Sequence, residues 1–227
     1  PACDHALNLK QVVKGTLRNH GMKATFMAKP FASLPGSGMH LHLSLYDNQG
    51  ENLLAPKNSK KLNQAVSGIL DLMPESMIFC APHANSYHRF EENSYAPINA
   101  TWGKDNRTTA LRIPSGNEDS TRIEHRLSGA DANPYLVMAM LISGFLHGFE
   151  ENPEIPPETV GNGYEDGSRP LPQSWEAALD LFQNKSRLSS ILGQEFSTLY
   201  TQLKSGEQKR FRRVITPHEY DWYLHTV

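Results

Sequence analysis

Two short segments far apart in the chain, Gly36 to Ser44 (GSGMHLHLS) and Thr121 to Arg126 (TRIEHR), alternate apolar side chains with groups able to hold metal or phosphate. In an extended strand successive side chains point to opposite faces, so His40, His42 and Ser44 share one face, and Arg122, Glu124 and Arg126 share another. Imidazole, carboxylate and guanidinium brought together suit a metal-assisted phosphate site. A purely structural strand rarely carries two arginines and a glutamate on one face, because inward charge must be paired, ligated or solvated. Taken alone, His40-Leu41-His42 is a weak signal, since such a pair in a strand is more often ordinary polar-face usage than a metal site. Gly36 and Gly38 strengthen it, since glycines let the backbone approach a ligand and offer N–H groups to anions, although a plain tight turn fits them too. Glu124 between Arg122 and Arg126 can ligate a cation while the guanidiniums hold anions around it; an exposed ion-pair ladder is the competing reading. Arg89, Arg107 and Arg112 lie in three further local contexts, and an anionic substrate of several parts calls for such a set.

Composition narrows the function classes. The 227 residues are 38% hydrophobic and 20% charged, with a formal net charge of -2, which gives a globular chain without the basic excess of a general nucleic-acid binder. Any phosphate chemistry is therefore local. Cys3 and Cys80 are too few for a disulfide scaffold and indicate a reducing compartment, so the expected location is cytoplasmic. No apolar run approaches the roughly 20 residues that span a bilayer, and no membrane association is expected. The chain opens on Pro1, directly into a helical pattern, and is expected to be a piece of a longer protein.

The elements that must position these residues follow from periodicity. Leu9, Val12, Val13 and Leu17 predict an amphipathic helix over 6–20 that stops near Gly21. Segments 23–28 and 39–46 predict strands, with a turn at 47–50. A second helix is expected over 62–73 and a third from Pro74, because proline interrupts a helical ladder. The aromatic, polar stretch 83–104 lacks periodicity and reads as a functional loop. Strands are expected over 108–113 and 122–127, joined as a hairpin through Pro114-Ser115-Gly116-Asn117. Asn133-Pro134 is an N-cap followed by a first helical position, opening an apolar helix to about residue 149 that should be the most buried. Residues 152–173 read as an exposed connection, followed by short helices from Trp175. The order fits an α+β domain, a partly antiparallel sheet covered by helices, with sheet-bearing residues 1–150, a connection 151–173 and a helical tail 174–227.

Five motifs in fixed order, GSGMHLHLS, PHANSYHR, NRTTALRIP, RIEHR and ADANPYLVMAMLISG, resemble the catalytic domain of the glutamine synthetase family, and within it the γ-glutamylpolyamine synthetase branch. The likeness is detailed from about Gln11 to Gly148 and looser to Val227. It implies ATP-dependent ligation of an amine, a polyamine such as putrescine, to the γ-carboxylate of L-glutamate through γ-glutamyl phosphate, with Mg2+ or Mn2+. His40 and Glu124 correspond to metal ligands, Gly36 to a glycine beside the amino-acid substrate, and His42, Ser44 and Arg122 to nucleotide positions. Arg89 and Arg126 match arginines at the glutamate carboxylate and γ-phosphoryl region, Arg107 the one on the transferring phosphoryl group, and Arg112 one on ATP phosphates. The resemblance also implies an N-terminal β-grasp domain and further metal carboxylates upstream of Pro1, and a homo-oligomer of stacked rings, a dodecamer, toward which the tail VITPHEYDWYLHTV would reach.

Three positions depart from the family pattern. Tyr95 stands where ammonia-using members carry a flap glutamate; a neutral phenol cannot replace that carboxylate, so Tyr95 is expected to line the entrance for a larger amine. Pro35 replaces an asparagine near glutamate, and Asp119 a lysine near the nucleotide. Two other readings remain: a glutamine synthetase using ammonia, and a piece without catalytic function of its own that serves structure or oligomerisation.

Overall fold

The computed structural model describes all 227 residues except the side chain of Lys185. The elements run α1 (Ala2–Asn19), β1 (Leu41–Leu43), α2 (Ser59–Cys80), α3 (Ala84–Tyr87), β2 (Trp102–Lys104), β3 (Leu111–Ile113), β4 (Ile123–His125), α4 (Pro134–Glu151), α5 (Trp175–Lys185), α6 (Arg187–Leu192), α7 (Gln194–Phe211) and α8 (Pro217–Tyr223). The α+β expectation holds: one four-stranded sheet, ordered β1-β4-β3-β2, shares a single hydrophobic core with the helices. The β1–β4 and β3–β4 pairs are antiparallel, whereas β2 and β3 run parallel. The register sets Glu124 opposite His42 on one side and Arg112 on the other. Directly paired residues project to the same face, so the strand order alone gathers one carboxylate, one imidazole and one guanidinium. The flanking Leu111 and Ile123 point the other way and are fully buried in the core.

That core is built on α2, which buries 14 of its 22 residues, including Leu70, Ile78 and Phe79. The expectation that the helix from Asn133 would be the most buried is corrected: α4 buries 9 of 18, because Tyr135, Ile142 and Leu146 face outward while α2 has α4, α5 and α6 around it. Asn133 does cap α4, its Oδ1 accepting from Tyr135 N at 3.0 Å. Replacing it with alanine orphans that donor and is expected to lower stability by about 1 kcal/mol, read as a shift in the urea midpoint.

Four further expectations are revised. The two helices expected on either side of Pro74 are one helix. Proline cannot donate to the carbonyl of Leu70, and Arg169 Nη2 lies 3.5 Å from that oxygen, a partial replacement from a distant segment. Segment 23–28 is not a strand, since no ladder partner lies beside it among the described residues. Residues 83–104 hold α3 and β2 rather than loop alone, and the strands expected at 39–46, 108–113 and 122–127 each shorten to a three-residue core. Residues 152–173 are the largely exposed connection expected, and they also dock as a strap across β2 and its neighbours. Trp102 Nε1 donates to Pro156 O (2.9 Å), Thr159 N to Trp102 O (2.9 Å), and Asn106 Nδ2 to Gly161 O (2.8 Å). Proline and glycine preclude a helix there, yet the backbone polar groups still find partners, as buried groups must.

Candidate active site

Glu124, only 4% exposed, is the centre of the polar face of the sheet. Arg126 Nη1 donates to its Oε1 at 2.7 Å and Arg112 Nη1 to its Oε2 at 2.9 Å. His40 Nδ1 lies 3.1 Å from Oε1, and His42 Nε2 lies 3.9 Å away. Burial alone would raise the Glu124 carboxyl, but the Arg112 hydrogen bond and the Arg126 charge outweigh it and hold it below the usual carboxylate range. His40 is shifted down by burial and then by Arg126, which favours the neutral imidazole. Neutral imidazole and ionised carboxylate are the forms that bind divalent cations. Arg112 also donates to Asp105 Oδ1 (2.9 Å), and Arg122 Nε to His42 Nδ1 (3.2 Å). The buried Nε groups of Arg112 and Arg126 have no partner among the described residues. Unsatisfied buried guanidinium donors are costly unless an anion meets them.

A second arginine layer lies behind this cluster. Arg89 is 5% exposed, and its guanidinium donates to the carbonyls of Leu127 (2.6 Å) and Arg126 (3.1 Å), tying α3's end to the strand that carries Glu124. Burial lowers its pKa to about 10, which leaves it cationic at neutral pH. The Gly36-Ser37-Gly38 turn is wrapped on this side chain: a Cβ at Gly36 would sit 2.7 Å from Arg89 Cγ and 2.8 Å from Ala28 O. The glycine is thus required by the arginine stem as well as by any ligand beyond it. Gly36→Ala is expected to displace Arg89 and to lower stability by about 1–3 kcal/mol, the scale for overpacking a close contact, read as a shift in the urea midpoint.

The structure brings His40, His42, Glu124, Arg112, Arg122 and Arg126 together, with Arg89 and Gly36 packed behind. Arg107 is exposed and enters only through its carbonyl, which accepts from Arg126 Nη2 (3.0 Å). Ser44 lies past the end of β1, and its hydroxyl donates to Thr121 O (3.3 Å). Tyr95 is 62% exposed in a separate loop. Three polar residues of this region escaped the sequence reading. Asp105 anchors Arg112, and Asp131 accepts from Ser86 Oγ (2.6 Å) and lies 3.2 Å from His83 Nδ1. His125, fully buried behind Glu124 with its pKa pushed down to about 3, is neutral. Asp131 follows RIEHR within the same motif series, the one signal that pointed to it.

Among the described residues no group of three or more His, Cys, Asp and Glu is arranged to hold a metal ion. His40 and Glu124 fit a divalent cation in donor chemistry but supply two ligands where such ions take about six oxygen or nitrogen donors. Residues 1–223 match the catalytic domain of glutamine synthetase. The chain belongs to the glutamine synthetase catalytic-domain family. Within the family it is 45% identical over 226 residues to the γ-glutamylputrescine synthetase of Escherichia coli K12, covering 98% of this chain and 48% of that protein. It is 37% identical over 224 residues to a γ-glutamylethanolamide synthetase of Streptomyces coelicolor (98% and 47%), and 35% over 234 residues to a glutamate–isopropylamine ligase of a Pseudomonas species (100% and 51%). The solved structure of ligand-free GmaS superposes with a TM-score of 0.87 at 29% identity, over 98% of this chain and 53% of that one. This glutamine synthetase domain therefore spans about half the length of the curated relatives it matches, and those relatives are carbon–nitrogen ligases by name.

Proposed function

We propose that the chain forms the arginine-lined wall of an ATP-dependent ligase that joins an amine, a polyamine such as putrescine, to the γ-carboxylate of L-glutamate. The observation that carries this reading is the buried Glu124 cluster, in which a carboxylate and a neutral imidazole sit among guanidiniums whose Nε donors lack partners. In the proposed reaction a γ-carboxylate oxygen of glutamate attacks the γ-phosphorus of ATP and ADP leaves. The amine nitrogen then attacks the acyl carbon, and phosphate departs with the carboxylate oxygen. Arg126, Arg107 and Arg89 hold the phosphoryl and carboxylate charges, Arg112, Arg122, His42 and Ser44 the nucleotide, and Gly36 borders the glutamate. His40 and Glu124 would ligate Mg2+ or Mn2+, which when bound neutralises phosphate charge. The remaining carboxylate ligands come, in this reading, from residues beyond these 227, in keeping with relatives about twice as long. The enzyme is proposed to be a cytoplasmic homo-oligomer of stacked rings.

The 45% identity to a γ-glutamylputrescine synthetase and the absence of a carboxylate at Tyr95 favour a polyamine over ammonia. Steady-state assay of the full-length enzyme with ATP, Mg2+ and glutamate is expected to give kcat/KM for putrescine at least about 10-fold above that for ammonia, the scale on which pocket contacts discriminate substrates. Equal or greater turnover with ammonia would overturn the polyamine assignment.

A further inference from the structure

The loop bearing Tyr95 is held in an uncommon backbone conformation. Asn93 and Tyr95 have φ of 62° and 59°; asparagine takes this left-handed conformation readily, but a bulky tyrosine holds it only where its surroundings enforce it. Within the loop, Ser94 Oγ lies 2.6 Å from Glu91 O and 3.1 Å from Arg89 O, and Ala96 N donates back to Ser94 Oγ (3.3 Å). These bonds are local. The tie from outside comes from the strap: the Tyr164 hydroxyl donates to Ala96 O at 3.2 Å. Tyr164 itself has little freedom, because Gly163 N donates to Thr108 Oγ1 (2.8 Å) and Gly163 O accepts from Asn99 Nδ2 (3.1 Å). A Cβ at Gly163 would meet Thr108 O at 2.9 Å, so the strap lies directly on the segment after β2. Burial raises the Tyr164 phenol, which keeps the hydroxyl a donor.

We propose that Tyr164 is a positioning residue for the amine substrate: through its bond to Ala96 it fixes the loop that presents the Tyr95 ring to the incoming amine. The inference rests on the proposed role of Tyr95 at the amine entrance. An aromatic face there suits the methylene chain and distal ammonium of a diamine, which a ring attracts only when correctly placed. The strap thus couples a segment without regular structure to amine choice.

The test uses full-length Tyr164→Phe, which removes the hydroxyl alone, with Tyr164→Ala as a second variant. Losing one neutral hydrogen bond is expected to raise KM for putrescine about 3- to 10-fold, with KM for ATP and glutamate within about 2-fold. Hydrogen exchange at amides 93–96 should accelerate by a similar factor, with protection of α2 and α4 unchanged. A rise in all three KM values together, exchange that accelerates throughout the domain, or unchanged exchange at 93–96 overturns the proposal. If the wild-type enzyme ligates no amine, the functional reading fails separately, and the exchange result alone decides whether Tyr164 holds the loop.

Discussion

Glu124→Gln in the full-length enzyme is expected to lower kcat by about 1,000-fold or more and to destabilise the domain by about 3–5 kcal/mol, the scale for removing one partner of a buried charge pair. The substitution preserves shape and deletes charge. Arg126 and Arg112 now donate to Oε1 and Oε2 of one carboxylate, both within 2.9 Å, and a glutamine can offer an oxygen to only one of them. Its amide N–H2 would face the other guanidinium, donor against donor. Arg126 is 4% exposed and cannot turn to water for compensation. The same change removes the anionic ligand expected beside His40, so catalysis suffers as well as stability. Phosphate release and the thermal unfolding midpoint read the two effects separately. Near-wild-type turnover would show that the cluster is an ion-pair scaffold and no part of the reaction.

The second large effect concerns the packing that supports the sheet. Gly148→Ala is expected to destabilise the protein by about 3 kcal/mol or more, at the upper end for overpacked cores. A Cβ at Gly148 would lie 1.9 Å from Gln64 O, and one at Gly68 would lie 2.2 Å from Gly144 O. Helices α2 and α4 therefore approach backbone to backbone along Gly68, Gly144 and Gly148, and a methyl group at that contact must push them apart. Because α2 shares one hydrophobic core with Leu111 and Ile123 of the sheet, the displacement should also reach Glu124 and lower activity. Gly15, in exposed α1, is the control, since a Cβ there would meet nothing within 4 Å. Gly15→Ala is expected to stabilise by about 0.5–1 kcal/mol, the helix-propensity gain. Equal thermal midpoints for the two variants would contradict the close approach.

The contrast between these sites shows what was readable in the sequence. The polar faces of β1 and β4 were, because a period of two is local, and the antiparallel register then set His42 beside Glu124. The start of α4 was legible for the same reason, since Asn133 and Pro134 satisfy the first turn within a few residues. Continuity of α2 through Pro74 was not, because the group beside the freed Leu70 carbonyl is Arg169, far along the chain. The tertiary role of Arg89 was hidden likewise: its partners are backbone carbonyls, which leave no mark on residue type. Composition predicted the strap's irregular backbone but not its docking, which depends on the Asn99 and Asn106 amides. The family resemblance assigned roles to Arg107 and Ser44, yet their side chains make no contact with Glu124 that would have revealed them by geometry.

The acyl-phosphate chemistry proposed for this wall is tested most directly by oxygen transfer. Glutamate carrying 18O in its γ-carboxylate, incubated with the full-length enzyme, ATP, Mg2+ and putrescine, should deliver one labelled oxygen to each inorganic phosphate as γ-glutamylputrescine forms. Unlabelled phosphate, with amide product accumulating, would contradict a γ-glutamyl phosphate intermediate and with it the role assigned to the Arg126–Glu124–Arg112 cluster.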